Sequence, residues 1–155
     1  MWVGDITYLR VGTTWWYLAV VMDQCSRRIL AWTLQRRRDA RVTRAVLAAA
    51  LRRRQPAPGL IFHSDRGAEY LAQPLRAFLA AHGVRQSANT AGPGDNAHME
   101  SFFHSMKAEV IRGQHFATAT ELRSVLRRYI RYYNTIRAHS ALAYRSPIDF
   151  ERRVA

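Results

Sequence analysis

The sequence predicts an α/β domain built on one mixed five-stranded sheet, three antiparallel meander strands plus two parallel ones, flanked by helices. Three observations lead there. The first third of the chain carries three strand-length runs separated by short turns, the pattern of an antiparallel meander. The middle third then alternates helix and strand, which places helices on the faces of the sheet. The chain has 155 residues, enough for one domain with a real core and too few to expect two.

Val3 to Val11 is the first predicted strand and opens with the alternating set Val3, Asp5, Thr7, Leu9. After the turn Gly12-Thr13-Thr14, Trp15 to Met22 is nearly continuous apolar sequence, as expected of a strand buried on both faces. Asp23-Gln24-Cys25-Ser26 is a turn, and Arg28 to Leu34 is the third strand. Asp39 caps a helix to about Arg54 with Val42, Ala45, Val46 and Ala49 on one face, and Pro56-Ala57-Pro58-Gly59 ends it. Leu60-Ile61-Phe62 is a short strand that delivers Asp65 at its C-terminal end. A helix from about Ala72 to His82 follows, with Gly83 as its cap, and Val84 to Ser87 is the fifth strand. Ala88 to Gly94 reads as a mobile loop, after which Asp95 caps a helix to about Arg112. Thr118-Ala119-Thr120-Glu121 is a capping box for a last helix to about Ala138, with Leu122, Val125, Leu126, Tyr129, Tyr133 and Ile136 at helical spacing.

Charge narrows the function. Against 24 basic residues stand 11 acidic ones, a formal net charge of +13, and the pI is near 11.2. Such a balance points to a polyanionic partner, because Lys and Arg displace counterions condensed on phosphates; a taste for arginine codons explains part of it. The single cysteine, Cys25, excludes an internal disulfide framework and a Cys-pair zinc site. No apolar run approaches 18 residues and Met1-Trp2-Val3-Gly4-Asp5 is no signal peptide, so the expectation is a cytoplasmic, nucleoid-associated protein with no membrane partner.

Three carboxylates sit in distinctive contexts: Asp5 in Asp5-Ile6-Thr7-Tyr8, Asp65 in His63-Ser64-Asp65-Arg66-Gly67, and Glu100 in Asp95-Asn96-Ala97-His98-Met99-Glu100-Ser101-Phe102-Phe103. Singly, each has a plain explanation as an ion-pair, turn or helix-end residue. Together they suggest a magnesium site acting on a phosphate backbone, since two such ions roughly 3.5–4 Å apart serve the attacking and leaving oxygens of a phosphodiester. If the strands bearing Asp5 and Asp65 are neighbours, the aspartates meet at one end of the sheet, where the helix can bring Glu100. Glu100, His104 and Lys107 share one side of that helix, while Met99, Phe102, Phe103, Met106 and Val110 form its apolar side. Lys107, the only lysine among the 24 basic residues, is thereby a candidate phosphate contact beside the acids, with His104 next to it. Arg66 either contacts phosphate or neutralises the acidic cluster. His63 and His98 either position substrate or make structural hydrogen bonds. The runs Arg36-Arg37-Arg38 and Arg52-Arg53-Arg54, and the stripe Arg123, Arg127, Arg131, read by default as solvated faces.

These motifs resemble the integrase catalytic core of OrfB-type bacterial insertion-sequence transposases, a group related to retroviral integrases within the superfamily named for its two aspartates and glutamate. The resemblance runs through Trp2 and Asp5 to Tyr8, Trp16 to Val21 with Asp23 and Ser26-Arg27-Arg28, His63 to Gly67 with Tyr70, Asp95 to Ala97 with Glu100 to Phe103, Lys107-Ala108-Glu109, Tyr133-Asn134, Arg137, His139 to Leu142, and Ser146-Pro147. It implies a ribonuclease-H-like fold over residues 1–155, a catalytic and metal-binding triad Asp5, Asp65 and Glu100, and two Mg2+ ions with Mn2+ able to substitute. It also implies DNA as partner, both transposon ends and target, with Lys107 near the end and a homo-oligomer when two ends are brought together. The implied reaction is phosphodiester cleavage followed by 3′-hydroxyl strand transfer. Two departures stand out. Residues 66–99 give 34 between Asp65 and Glu100, one fewer than is usual in that family, the gap falling at Thr90 to Gly94. The N-terminal helix-turn-helix region of full-length members has no counterpart here, so the expectation is a catalytic core alone. Two rival readings remain: a nuclease of the same fold that cuts without joining, and a non-catalytic DNA-binding remnant that inhibits a full-length transposase.

Overall fold

The structure, a computed structural model, describes residues 1–88 and 96–154. Its sheet has five strands: β1 (Trp2–Val11), β2 (Thr14–Asp23), β3 (Ile29–Gln35), β4 (Ile61–Ser64) and β5 (Arg85–Ala88), in the order β3-β2-β1-β4-β5. β1, β2 and β3 form the antiparallel meander, while β4 runs parallel to β1 and β5 parallel to β4. The predicted sheet is therefore present, with strand ends shifted by one or two residues. β2 departs from the expectation of burial on both faces: Leu18 to Met22 are fully covered, but Trp15 at its start is 48% exposed.

Helices cover both faces of the sheet. On one side lie α1 (Ala40–Arg54), α2 (Ala68–Leu71) and α3 (Gln73–Ala81), packing Val46, Leu47, Tyr70, Leu75 and Leu79 against Trp2, Ala19, Val21 and Phe62. On the other lie α4 (Ala97–Met106) and α5 (Ala119–Thr135), packing Met99, Phe102, Met106, Leu122 and Leu126 against Val3, Leu9, Leu18 and Val20. Alternate β1 residues thus serve opposite layers, as the period of two demands. Gly4 lies where the layers meet the acidic end: a Cβ there would stand 2.5 Å from Phe62 Cζ, and Phe62 is fully buried. Gly4→Ala is expected to destabilise the protein by about 1–3 kcal/mol through overpacking, read as a lower urea midpoint; an unchanged midpoint would refute the tight approach.

Several helix ends are as expected. Asp39 caps α1 by accepting from the Arg41 and Val42 amides, and Thr118 and Glu121 form the capping box of α5. Others differ. The helix predicted from about Ala72 to His82 is present as α3, but a short helix not anticipated from the sequence, α2, precedes it, and the two are broken at Ala72 because Pro74 has no N–H to carry one helix through. The Tyr70 carbonyl left over accepts instead from Gln86 Nε2 at 2.7 Å. The helix expected to reach Arg112 changes at Lys107 into a π-helical turn, Lys107–Ile111, closed by the Arg112 amide on the Lys107 carbonyl. Asn96 is the residue before α4; the Thr90 to Gly94 loop and the predicted Asp95 cap lie outside the described residues. α5 ends at Thr135, and Ile136, expected on its apolar face, is 69% exposed.

Beyond it come a 3-10 turn (Ser140–Leu142) and α6 (Pro147–Val154), neither anticipated from periodicity. α6 is held by charge: Glu151 accepts from Ser26 Oγ at 2.8 Å, from Arg28 at 2.6 Å and from Arg54. Burial alone would raise the Glu151 carboxyl, but these three donors outweigh it and hold it below the ordinary value. Asn134 docks α5 on β3 by bracketing the backbone of Ile29, each bond 2.9 Å. The default of solvated arginines fails at Arg53, bonded to the Leu30 carbonyl, at Arg54, and at Arg123, bonded to the Leu34 carbonyl and stacked on Trp16.

Candidate active site

The parallel pairing of β1 with β4 sets the site. Trp2 lies opposite Phe62 and Val3 opposite His63. Two residues further along each chain stand Asp5, still within β1, and Asp65, just past the end of β4. A side-chain period of two keeps each acid on the face of the paired residue before it, so the register carries Asp5 and Asp65 to one end of the sheet. α4 is fastened there by Asn96, whose Nδ2 donates to the Gly4 carbonyl at 3.2 Å. One turn on, the Glu100 amide donates to the Asn96 carbonyl at 3.0 Å, which fixes Glu100 in the first turn with its side chain exposed.

The three acids share one electrostatic neighbourhood. Asp5, half-buried, has its carboxyl pushed up to about 6, first by burial and then by the charges of Asp65 and Glu100, against the lowering effects of the Ile6 amide and Arg38. Its Oδ1 accepts from the Ile6 amide at 2.7 Å. Asp65 Oδ1 accepts from the Gly67 amide at 2.9 Å. A Cβ on Gly67 would stand 2.6 Å from Glu69 Oε1 and 3.0 Å from Asp65 Oδ1, so a larger residue there would displace these carboxylates. Behind it Glu69, buried, holds Arg38 Nε at 2.6 Å, and the same guanidinium reaches Asp65 at 3.9 Å. Beneath, Tyr70 is wholly buried; burial, then Asp5, Asp65 and Glu69, push its phenol well above its ordinary value and keep it neutral.

Hard carboxylate oxygens short of positive charge are what a divalent cation of the magnesium type requires. Arg38, shared with Glu69, offsets the charge of the cluster only in part. Among the described residues, however, no three His, Cys, Asp or Glu side chains stand close enough to hold one ion as they are. The donor set fits the metal in chemistry and in neighbourhood, with side-chain adjustment still needed to close around it.

Lys107 is placed beside β1 rather than over the acids: its Nζ lies 5.0 Å from the centre of the Tyr8 ring. Tyr8 is three residues beyond Asp5, roughly 10 Å along the strand. β4 pairs with β1 only at Trp2 and Val3, so this stretch of β1 is an open edge among the described residues. Tyr8 is 59% exposed, with Trp15 packed edge-on at 5.1 Å and Arg10 over Trp15. Arg66 and His104 are exposed, and no described residue fixes either side chain. His63 bonds Ser87 Oγ at 3.0 Å, the structural alternative. Asp23 is a turn residue, as expected, and accepts from the Cys25 and Ser26 amides. Sequence reasoning missed Arg38, hidden in an arginine run, and Glu69, which carried no signal; Asn96 and Tyr70 lay inside recognised motifs without an assigned role.

Two family profiles, each described as an integrase core domain, match residues 1–93 and 100–154. The chain belongs to the integrase core domain family. Among curated relatives, the transposase of insertion sequence IS904 from Lactococcus lactis is 40% identical over 154 residues, covering 98% of this chain and 61% of the relative. The InsF transposase of IS3 from Escherichia coli K12 is 42% identical over 154 residues, covering 98% of this chain and 54% of its own length. This integrase core therefore spans a little over half the length of those relatives. Among solved structures, a chain of the simian T-cell lymphotropic virus intasome superposes with a TM-score of 0.82 at 17% identity, over 96% of this chain and 52% of that one. The HTLV-2 integrase catalytic core domain, solved in complex with magnesium, superposes at 0.75 and 14% identity, over 96% and 92%. The architecture is thus the ribonuclease-H-like fold of integrase cores. Among the described residues, no helix of this integrase core is long and apolar enough to cross a membrane.

Proposed function

We infer that this integrase core is the catalytic part of a DNA transposase that cuts a phosphodiester at an element end and joins the freed 3′-hydroxyl to target DNA. The observation that supports the reading is the β1–β4 register, which carries Asp5 and Asp65 to one end of the sheet, together with the Asn96–Gly4 bond that fastens the start of α4, and so Glu100, at that end. The 40–42% identity to insertion-sequence transposases supports the same reaction class.

Asp5, Asp65 and Glu100 would hold two Mg2+ ions, for which Mn2+ can stand in. Such ions activate the attacking oxygen and stabilise the leaving one. The chain's own residues do the rest. Asp5 is mounted on a strand and Asp65 on a turn closed by the Gly67 amide, and rigid mounting is what in-line displacement needs. Arg38 steadies Asp65 while Glu69 keeps that guanidinium from cancelling the acids. Lys107 lies along the open β1 edge, where a point charge can take a DNA phosphate, while exposed Arg66 neighbours Asp65 and exposed His104 lies one turn beyond Glu100 on α4. Bringing two element ends together requires at least two copies, so a homo-oligomer on DNA is part of the proposal.

The test is cleavage and joining of labelled duplex DNA in Mg2+ or Mn2+, comparing wild type with Glu100→Gln. Metal-dependent joining that disappears in the variant is expected; activity indifferent to metal or to the substitution overturns the reading, and cutting without joining makes the protein a nuclease. Lys107→Ala is expected to weaken duplex binding and lower the slope of log affinity against log salt by about one. An unchanged slope removes Lys107 from the DNA surface.

A further inference from the structure

We propose that the cleft between α4 and the C-terminal segment is a second anion site, gripping a backbone phosphate of the DNA a few nucleotides from the scissile bond. The proposal rests on DNA being the substrate, and adds a contact that the acidic end does not use. The cleft has a volume of about 600 Å³ and is walled by Arg27, His98, Ser101, Ser105, Arg137 and His139, with the highly exposed Tyr144 at its mouth. Four of those six side chains are basic, two carry hydroxyls, and no carboxylate is among the described lining residues. Glu109 touches the wall only from outside, pairing with Arg137 at 3.0 Å.

Arg27 is the key residue. The Asp23 side chain accepts from the Cys25 and Ser26 amides, and the chain then passes through Arg27 with φ 63, a left-handed conformation that a non-glycine residue adopts at a cost. The turn thus delivers Arg27 to the cleft wall, yet its buried Nε has no partner among the described residues. His139 likewise lines the cleft and keeps a buried Nε2 unpartnered. Its imidazole is held below the ordinary value by burial, then by Arg137 and Arg27, so two guanidiniums act on one small volume. Leaving the buried Arg27 donor unmade costs on the order of 1–3 kcal/mol. An oxyanion in the cleft, with modest side-chain movement, satisfies it together with the Ser101 and Ser105 hydroxyls.

Position favours DNA as the source of that oxyanion. His98, Ser101 and Ser105 belong to the same helix as Glu100, on a flank roughly 100° or more round the axis from it. Asp23, where the turn begins, pairs with Trp2, three residues and roughly 10 Å from Asp5 along β1. About three nucleotide steps of a strand span that distance. A free phosphate or nucleotide shares the chemistry, and the second arm of the test separates it from DNA.

The experiment is duplex binding by fluorescence anisotropy in EDTA over a salt series, using wild type, Arg27→Asn, His139→Gln and the exposed control Arg127→Gln. Asparagine tolerates the left-handed turn, so Arg27→Asn removes the charge and spares the backbone; His139→Gln probes the same cleft if that turn nevertheless fails to fold. Arg27→Asn is expected to weaken binding about 3- to 10-fold and lower the salt slope by about one, His139→Gln to weaken it less, and Arg127→Gln to do neither. In the second arm, inorganic phosphate replaces chloride at matched ionic strength; it should compete with duplex in wild type and lose that effect in Arg27→Asn. Wild-type affinity and slope in both cleft variants overturn the proposal. Inorganic phosphate that binds through Arg27 without affecting duplex also overturns it, assigning the cleft to a free anion. Absence of duplex binding by wild type itself would instead overturn the transposase reading.

Discussion

Asp65→Asn is expected to lower metal-dependent cleavage and joining by at least about 10³-fold, equivalent to roughly 4 kcal/mol of barrier, while leaving the fold in place. The two halves of that expectation come from different atoms of one side chain. Asp65 Oδ1 accepts the Gly67 amide at 2.9 Å, and an amide oxygen accepts it as well, so the turn that carries the residue survives. The charge is what disappears. It draws Arg38 to 3.9 Å and raises the neighbouring Asp5 carboxyl, and it is what a hard cation needs from this position. Rates on labelled duplex in Mg2+, with melting temperatures of both proteins alongside, separate the effects. A purified variant that cleaves near the wild-type rate would sink the triad; one that is inactive and unfolded would show the turn to be more fragile than its hydrogen bond implies.

The sequence disclosed much of this architecture because the relevant signals are local. Asp39 and the Thr118–Glu121 box announce helix starts through their own hydrogen bonds, and three runs with short turns specify a meander. That Asp5 and Asp65 share one end of the sheet was legible only on the condition that their strands are neighbours, a condition the β1–β4 pairing meets. What stayed hidden depends on distant partners. Arg38 in a run of three arginines is indistinguishable from its neighbours until Glu69, 31 residues away, is folded against it. Arg54 and Glu151 meet across 97 residues, so neither the ion pair nor the docking of α6 has a local sign. The break at Ala72 was readable in principle from Pro74, but the Gln86 side chain that makes it tolerable comes from another strand. Lys107 is an intermediate case: its side of the helix was predicted, while its seat over Tyr8 depends on β4 being too short to cover the β1 edge.

Asp5→Asn is expected to make the metal-free protein more stable while abolishing activity. The Asp5 carboxyl rises from an ordinary 3.8 to about 6 on folding, chiefly through burial. Because the folded-state value is the higher one, the folded protein prefers the protonated acid. The contribution is therefore favourable below about pH 4 and is lost as pH rises through about 6, beyond which the ionised group opposes folding by about 3 kcal/mol. An asparagine carries no such charge, and its oxygen can still accept the Ile6 amide that Asp5 Oδ1 holds at 2.7 Å. Urea unfolding in EDTA should show a gain of about 2–3 kcal/mol for Asp5→Asn at pH 8, shrinking steadily toward pH 4. A gain independent of pH would place its origin in packing rather than in charge. Divalent cation should act in the opposite sense: Mg2+ stabilises the ionised carboxylate, so it is expected to raise the melting temperature of wild type and leave that of Asp5→Asn nearly unchanged. Equal shifts in both proteins would mean that the ion binds elsewhere. Under the proposed function, the buried charge that weakens the metal-free fold would be the one that holds the metal, and the paired measurements with and without Mg2+ test both effects on one side chain.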